Sequence, residues 1–237
     1  MLTKIPAANI RKAEGKKVAP NSARANTLRI NEIFFSLQGE SRRVGLPTIF
    51  VRLTGCPLRC GYCDTAYAFH DGLTRTVDDV LAEVATYPSK TVCVTGGEPL
   101  AQKNCLSFLT TLCDLGYSVS LETSGAIDIA GVDTRVSRIV DIKTPGSGEV
   151  DKNRWENLPL LTLDDEIKFV ITSEADYRWA TTLLIERELT SLAPVLFSPA
   201  FNELSAAQLA EWILRDGLTV RMQVQLHKII WGEKRGV

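Results

Sequence analysis

The chain has 237 residues, 45% hydrophobic and 23% charged, with a formal net charge of −1. These values allow one domain of α/β-barrel size and exclude the strongly basic balance of a general nucleic-acid or membrane-surface binder. No apolar run approaches the roughly 20 residues that span a bilayer.

Residues 1–27, MLTKIPAANIRKAEGKKVAPNSARANT, are basic with little apolar periodicity, and read as a flexible tail before one domain over 28–237. The tail lacks the apolar core of a secretory signal. This points to the reducing cytoplasm, where the six cysteines are not expected to form a disulfide framework.

From residue 28 strands and helices alternate. LRINEIFFSLQGE reads as an opening strand and loop, and PTIFVRLTG as a β-branched strand. TVDDVLAEVATYP has helical spacing, with Thr76 at its N-cap and acids in its first turn. TVCVTGGEP is a strand entering a glycine-rich turn, and AQKNCLSFLTTLCDLG is a helix closed by Gly116. Cys93, Cys105 and Cys113 fall within these elements as small buried side chains. YSVSLETSG and SRIVDIKTPGSGE are each strand then turn. DEIKFVITS and PVLFSPAFNE are strands, followed by helices in EADYRWATTLLIEREL and SAAQLAEWILRDG. LTVRMQVQL is a last strand before HKIIWGEKRGV.

This alternation predicts βαβ units and a mostly parallel sheet. About six core strands, rather than eight, predict an incomplete parallel (β/α)6-type α/β barrel. Five unusual segments, residues 56–63, 96–99, 122–125, 141–148 and 198–201, all follow predicted strand C-termini. Parallel α/β folds bind their ligands at that rim.

GCPLRCGYCDT, residues 55–65, holds Cys56, Cys60 and Cys63 in the spacing C-x3-C-x2-C. A structural zinc site wants four ligands, usually as two separated pairs, and His70 is the nearby candidate for a fourth. A redox pair at Cys60 and Cys63 would leave Cys56 without a role. A cubane iron–sulfur cluster on three thiolates would leave one iron open to a ligand with nitrogen and oxygen donors, which accounts for the missing fourth cysteine. No general acid–base pair or nucleophilic triad is evident.

The triplet after a strand, with Tyr62 before its last cysteine and TGGEP at 95–99, resembles the radical S-adenosylmethionine superfamily. FFSLQGES, PTIFVRLTGCPLRCGYCDTAY, VTGGEPL, LETSG and LHKIIWGEKRGV resemble the 7-carboxy-7-deazaguanine synthase family over roughly residues 28–237. The resemblance implies a [4Fe–4S] cluster on Cys56, Cys60 and Cys63 whose open iron chelates S-adenosylmethionine and yields a 5′-deoxyadenosyl radical. It implies conversion of 6-carboxy-5,6,7,8-tetrahydropterin to 7-carboxy-7-deazaguanine with loss of ammonia, towards queuosine and related deazapurines.

The resemblance also implies pterin contacts from Leu37, Gln38, Gly39, Arg52, Thr95 and the terminal carboxylate of Val237. A guanidinium suits a substrate carboxylate, and Thr65 would give an oxygen to Mg2+, which takes few protein ligands. S-adenosylmethionine would meet Gly97, Glu98, Ser124, Asp141, Ile142, Lys143, Ser198, Pro199, Ala200 and Phe201. Two segments depart from the family pattern. DIK keeps only Lys143 of an SPK-like run, and SPAF keeps only Pro199 of a QPMD-like run. Glu122 and Thr123 would reach the cofactor with Ser124, and His227 and Trp231 fit a role in ordering the last turn.

A flavodoxin-like electron donor and a homodimer are implied, and no nucleic-acid or membrane partner. A glycyl-radical activase would leave LQGE and WGEKRGV without a task. A non-catalytic iron–sulfur or zinc module would leave GGEP and the rim segments unexplained.

Overall fold

The computed structural model describes residues 26–237. Residues 1–25 of the expected tail lie outside the described residues, and Thr27 already opens the first strand.

Nine strands form one sheet: β1 (Thr27–Leu37), β2 (Pro47–Leu53), β3 (Leu73–Thr76), β4 (Thr91–Gly96), β5 (Ser118–Thr123), β6 (Ser137–Ile142), β7 (Glu166–Ile171), β8 (Val195–Pro199) and β9 (Arg221–Met222). Their order is β3-β1-β2-β4-β5-β6-β7-β8-β9. From β2 through β9 neighbours pair in parallel, whereas β1 is antiparallel to β2 and β3. β9 has two residues, so six longer parallel strands make the wall, as the sequence predicts.

The helices are α1 (Val77–Val84), α2 (Cys105–Asp114), α3 (Glu174–Glu186), α4 (Leu189–Leu192), α5 (Ala206–Asp216) and α6 (Leu226–Trp231). Among the described residues none is long and apolar enough to cross a membrane. Local chemistry sets their ends. The hydroxyls of Thr76, Ser173 and Ser205 accept from the backbone N–H of Asp79, Asp176 and Gln208, and Gly217 closes α5 in the left-handed conformation.

The parallel strands read as apolar runs because both faces are covered. Val92, Cys93 and Val94 of β4 are fully buried, as are Phe108, Leu109 and Leu112 of α2. The β5–β6 connection carries no helix, and β6–β7 carries only short 3-10 turns at Pro145–Ser147, Val150–Lys152 and Trp155–Leu160. The predicted strand LTVRMQVQL shrinks to Arg221–Met222. Gln223 N–H still donates to Phe197 O at 3.0 Å, and past it the side chains of Gln223 and Gln225 turn their amides to Ser41 and to Glu40 and Asp64.

The loop between β1 and β2 closes the barrel from below. Leu37 pairs with Pro47, so the loop leaves from the N-terminal edge of the parallel strands. The backbone N–H and Nε of Arg42 donate to Glu166 at 3.0 and 3.1 Å, and Arg43 donates to the carbonyls of Ser118 and Val119. These grips hold Gln38 and Glu40 inside the barrel.

Glu166 is 1% exposed, so removing its partner leaves a buried carboxylate without its cation. Arg42 is a third exposed, which reduces the effect. Arg42→Ala is expected to cost about 2 kcal/mol, read as a fall of roughly 4–8 °C in Tm. A shift under about 1 °C would show that the loop is held by its backbone alone.

Candidate active site

A cleft of about 650 Å3 opens at the C-terminal ends of the parallel strands, roofed by the chain end at Gly236 and Val237. This lies in the range of sites for small ligands and cofactors. Each of the five rim segments contributes lining residues.

The cysteine loop follows β2. Gly55, at φ +96°, turns the chain, and Gly61 N–H donates to Ser147 O at 3.0 Å. The sulfur of Cys56 accepts from Leu58 N–H at 3.4 Å. The glycines of GGEP serve this loop directly. Gly97 N–H donates to Leu53 O at 3.1 Å and Glu98 N–H to Gly55 O at 2.8 Å. A Cβ on Gly96 would overlap Leu53 O, and one on Gly97 would overlap Gly55 O. No side chain fits where β4 seats the cysteine loop.

Cys56, Cys60 and Cys63 all face the cleft, while His70 does not line it. Among the described residues no three His, Cys, Asp or Glu side chains are grouped to hold a single metal ion. With His70 away from the cleft, a structural zinc at the triplet lacks its fourth ligand. A cubane asks for something different, one thiolate per iron, and fits three separated sulfurs on one loop. Burial pushes the Cys60 thiol up to about 11 and also raises Cys56, with Lys143 partly offsetting both. Ligation at these two sulfurs therefore displaces protons.

Next to the cysteines, Asp141 and Lys143 of the β6 edge face the cleft with Nζ and Oδ2 3.1 Å apart. Burial opposes the charge on Lys143, but Asp141 and Cys60 hold its pKa above the ordinary lysine value. The buried Oδ1 of Asp141 has no partner among the described residues, a free acceptor beside the thiols. An acceptor there suits an ammonium or hydroxyl of a bound cofactor. Gly97, Ser124, Ser198, Pro199, Ala200 and Phe201 line the same cleft.

Two expected cofactor contacts lie elsewhere. Ile142 is 3% exposed and packs in the core, because strand alternation sends it to the face opposite Asp141 and Lys143. Glu98 is fully buried below the cleft floor. Its carboxylate accepts from the N–H of Leu100 and Ser124 and from the hydroxyls of Thr123 and Ser124. It ties the end of β4 to the end of β5.

Leu37, Gln38, Gly39, Arg52, Thr95 and Val237 also line the cleft, and Thr65 does so beside Cys63. Thr95 donates to Glu122 Oε2 at 2.7 Å, and Gln38 Nε2 to Oε1 at 3.4 Å. Arg52 lies 5.8 Å from the ring centres of Phe34 and Tyr67, and its Nε donates to Glu32 at 2.7 Å. Burial works against the Arg52 charge, but Tyr67, Glu32 and Glu122 raise its pKa above the usual value. It remains a cation facing the cleft.

Sequence reading missed the roles of Lys168 and Gln225 and did not single out Glu40. Lys168 forms a part-buried ion pair with Glu40. Burial opposes its charge, but Glu40, Asp141 and Glu122 raise its pKa. A lysine inside the apolar run of DEIKFVITS was the available signal, because lysine is almost never buried unpaired. Gln225 carried no comparable signal.

Residues 50–185 match the family described as the Radical SAM superfamily. The chain is 45% identical to the 7-carboxy-7-deazaguanine synthase of Chlorobaculum tepidum, over 89% of this chain and 97% of that protein. It is 44% identical to the enzyme of the same name from Koribacter versatilis, over 89% and 100%. Among solved structures it is similar to QueE from Escherichia coli, with a TM-score of 0.71 and 23% identity over 88% of this chain and all of that one, a likeness of fold.

Proposed function

The chain belongs to the Radical SAM superfamily and, within it, to the 7-carboxy-7-deazaguanine synthase family, and from that premise we propose how its cleft divides the work. The reaction makes 7-carboxy-7-deazaguanine by contracting a carboxylated tetrahydropterin with release of ammonia. A [4Fe–4S] cluster and S-adenosylmethionine, when bound, supply the hydrogen-abstracting radical. Cys56, Cys60 and Cys63 would hold the cluster, and Asp141, Lys143, Gly97, Ser124 and residues 198–201 would hold S-adenosylmethionine.

Arg52 would meet the pterin carboxylate, while Gln38, Gly39, Thr95 and the Val237 carboxylate would receive its ring. A carboxylate accepts two parallel hydrogen bonds from an amino-pyrimidinone edge. Mg2+ at Thr65 would bind substrate oxygens. A flavodoxin-like protein would supply the electron, and the active species would be a homodimer.

One observation supports this division. Residues from separate strand ends and from the last residues of the chain converge on one cleft, which three thiols and a guanidinium line together.

The test is anaerobic reconstitution, then dithionite, S-adenosylmethionine, Mg2+ and 6-carboxytetrahydropterin, with products read by mass spectrometry. The expected product is 7-carboxy-7-deazaguanine, with a lower rate when Mg2+ is withheld. Release of 5′-deoxyadenosine without it would keep the radical chemistry and discard this substrate.

A further inference from the structure

We propose that Gln225 is a positioning residue that donates one amide hydrogen to Glu40 and the other to Asp64, latching the C-terminal segment against the cleft. The inference rests on the substrate reading above, because what it positions is the chain end and the segment assigned to the pterin.

The geometry is specific. Gln225 Nε2 lies 2.8 Å from Glu40 Oε1 and 3.0 Å from Asp64 Oδ2. A primary amide has two N–H donors on that nitrogen, and both are used on carboxylates. Glu40 follows Gln38 and Gly39 and is anchored from β7 by Lys168. Asp64 lies between Cys63 and Thr65. One side chain therefore bridges the substrate segment, the cysteine loop and the start of the last helix.

Two neighbours complete the latch. Leu226 N–H donates to Gly39 O at 3.0 Å, and a Cβ on Gly39 would overlap the ring of His227. Gly39 is thus needed for close packing of the chain end as well as for any ligand approach. Downstream, the Arg235 guanidinium sits 4.0 Å from the Tyr67 ring centre, which carries the strap back to Val237.

The chemistry makes a sharp contrast between two substitutions. Gln225 is the residue before α6, and its side chain makes no cap to that helix, so Gln225→Ala leaves the helix start unchanged. Gln225→Glu keeps the size but faces two carboxylates with a third. If the side chain were only filler, the isosteric glutamate would be the milder change. If it is the donor, the glutamate is the worse one.

The experiment compares the reconstituted wild type with both variants in two assays. The first is trypsin cleavage at Lys228, Lys234 and Arg235, followed by intact mass. The second is steady-state kinetics with 6-carboxytetrahydropterin. Q225A removes two charge-assisted hydrogen bonds and is expected to speed cleavage and raise KM at least about tenfold each, the size of one of them alone, with Q225E exceeding it in both. Release of 5′-deoxyadenosine per product should rise in the same order.

Wild-type cleavage rates in both variants, or a Q225E milder than Q225A, overturn the latch. A wild type that makes no deazaguanine product refutes the substrate reading instead, and the trypsin comparison still decides the latch.

Discussion

Glu98→Ala is expected to lower stability by about 3–5 kcal/mol, seen as a fall of roughly 6–20 °C in Tm, before any effect on cofactor binding is read. Four groups lose their acceptor at once: the N–H of Leu100 and Ser124 and the hydroxyls of Thr123 and Ser124. The hydroxyls can turn to other acceptors. The two N–H groups are fixed by the backbone, and each left unsatisfied costs roughly 1–3 kcal/mol.

Glu98→Gln separates this from a direct contact to S-adenosylmethionine. It keeps one acceptor oxygen but puts an NH2 among donors, so a smaller loss of about 1–2 kcal/mol is expected. The folded E98Q protein should bind S-adenosylmethionine close to the wild-type affinity. An unchanged Tm with lost binding would make Glu98 a direct contact of S-adenosylmethionine. Glu98 N–H also donates to Gly55 O, so melting this corner would loosen the cysteine loop.

Glu98 marks where the sequence was legible and where it was not. GGEP was correctly placed at a strand end beside the triplet, because periodicity fixes where β4 stops and glycines fix where backbones meet. Which way the carboxylate points depends on donors about 25 positions later at Thr123 and Ser124, and no local pattern carries that. The Ile142 side chain leaves the cleft for a simpler reason. A three-residue motif on a strand cannot put all its side chains on one face, and alternation predicts that the middle one leaves the cleft.

The parallel wall was readable because its strands are continuous apolar runs. The antiparallel β1 and the two-residue β9 were not, since strand direction and length follow from partners rather than from the strand itself. The part-buried Lys168–Glu40 pair joins residues 128 positions apart, which makes it a tertiary feature from the start.

A tag fused after Val237 is expected to lower kcat/KM for the pterin at least about 100-fold, while iron content and affinity for S-adenosylmethionine stay near wild type. The chain end is folded back, with Gly236 and Val237 in the wall of the cleft. A fusion turns the terminal carboxylate into an amide, removing one charge and one of two parallel acceptors. It must also lead further residues out of a cleft about 650 Å3 in size.

The two effects can be divided. Adding a single residue moves the carboxylate without much bulk, and deleting Val237 withdraws it by one residue. Both should cost less than the full tag if bulk dominates, and nearly as much if the carboxylate itself binds the substrate. The same tag at the N-terminus is the control, expected to leave kcat/KM within about twofold of the untagged chain. Full activity with the C-terminal tag would remove Val237 from the substrate site. It would also leave the Gln225 latch holding a strap whose last residue does no chemistry, so the two experiments bound each other. A strong latch with a dispensable carboxylate means the strap excludes water. A strong latch with an essential carboxylate means it delivers a ligand.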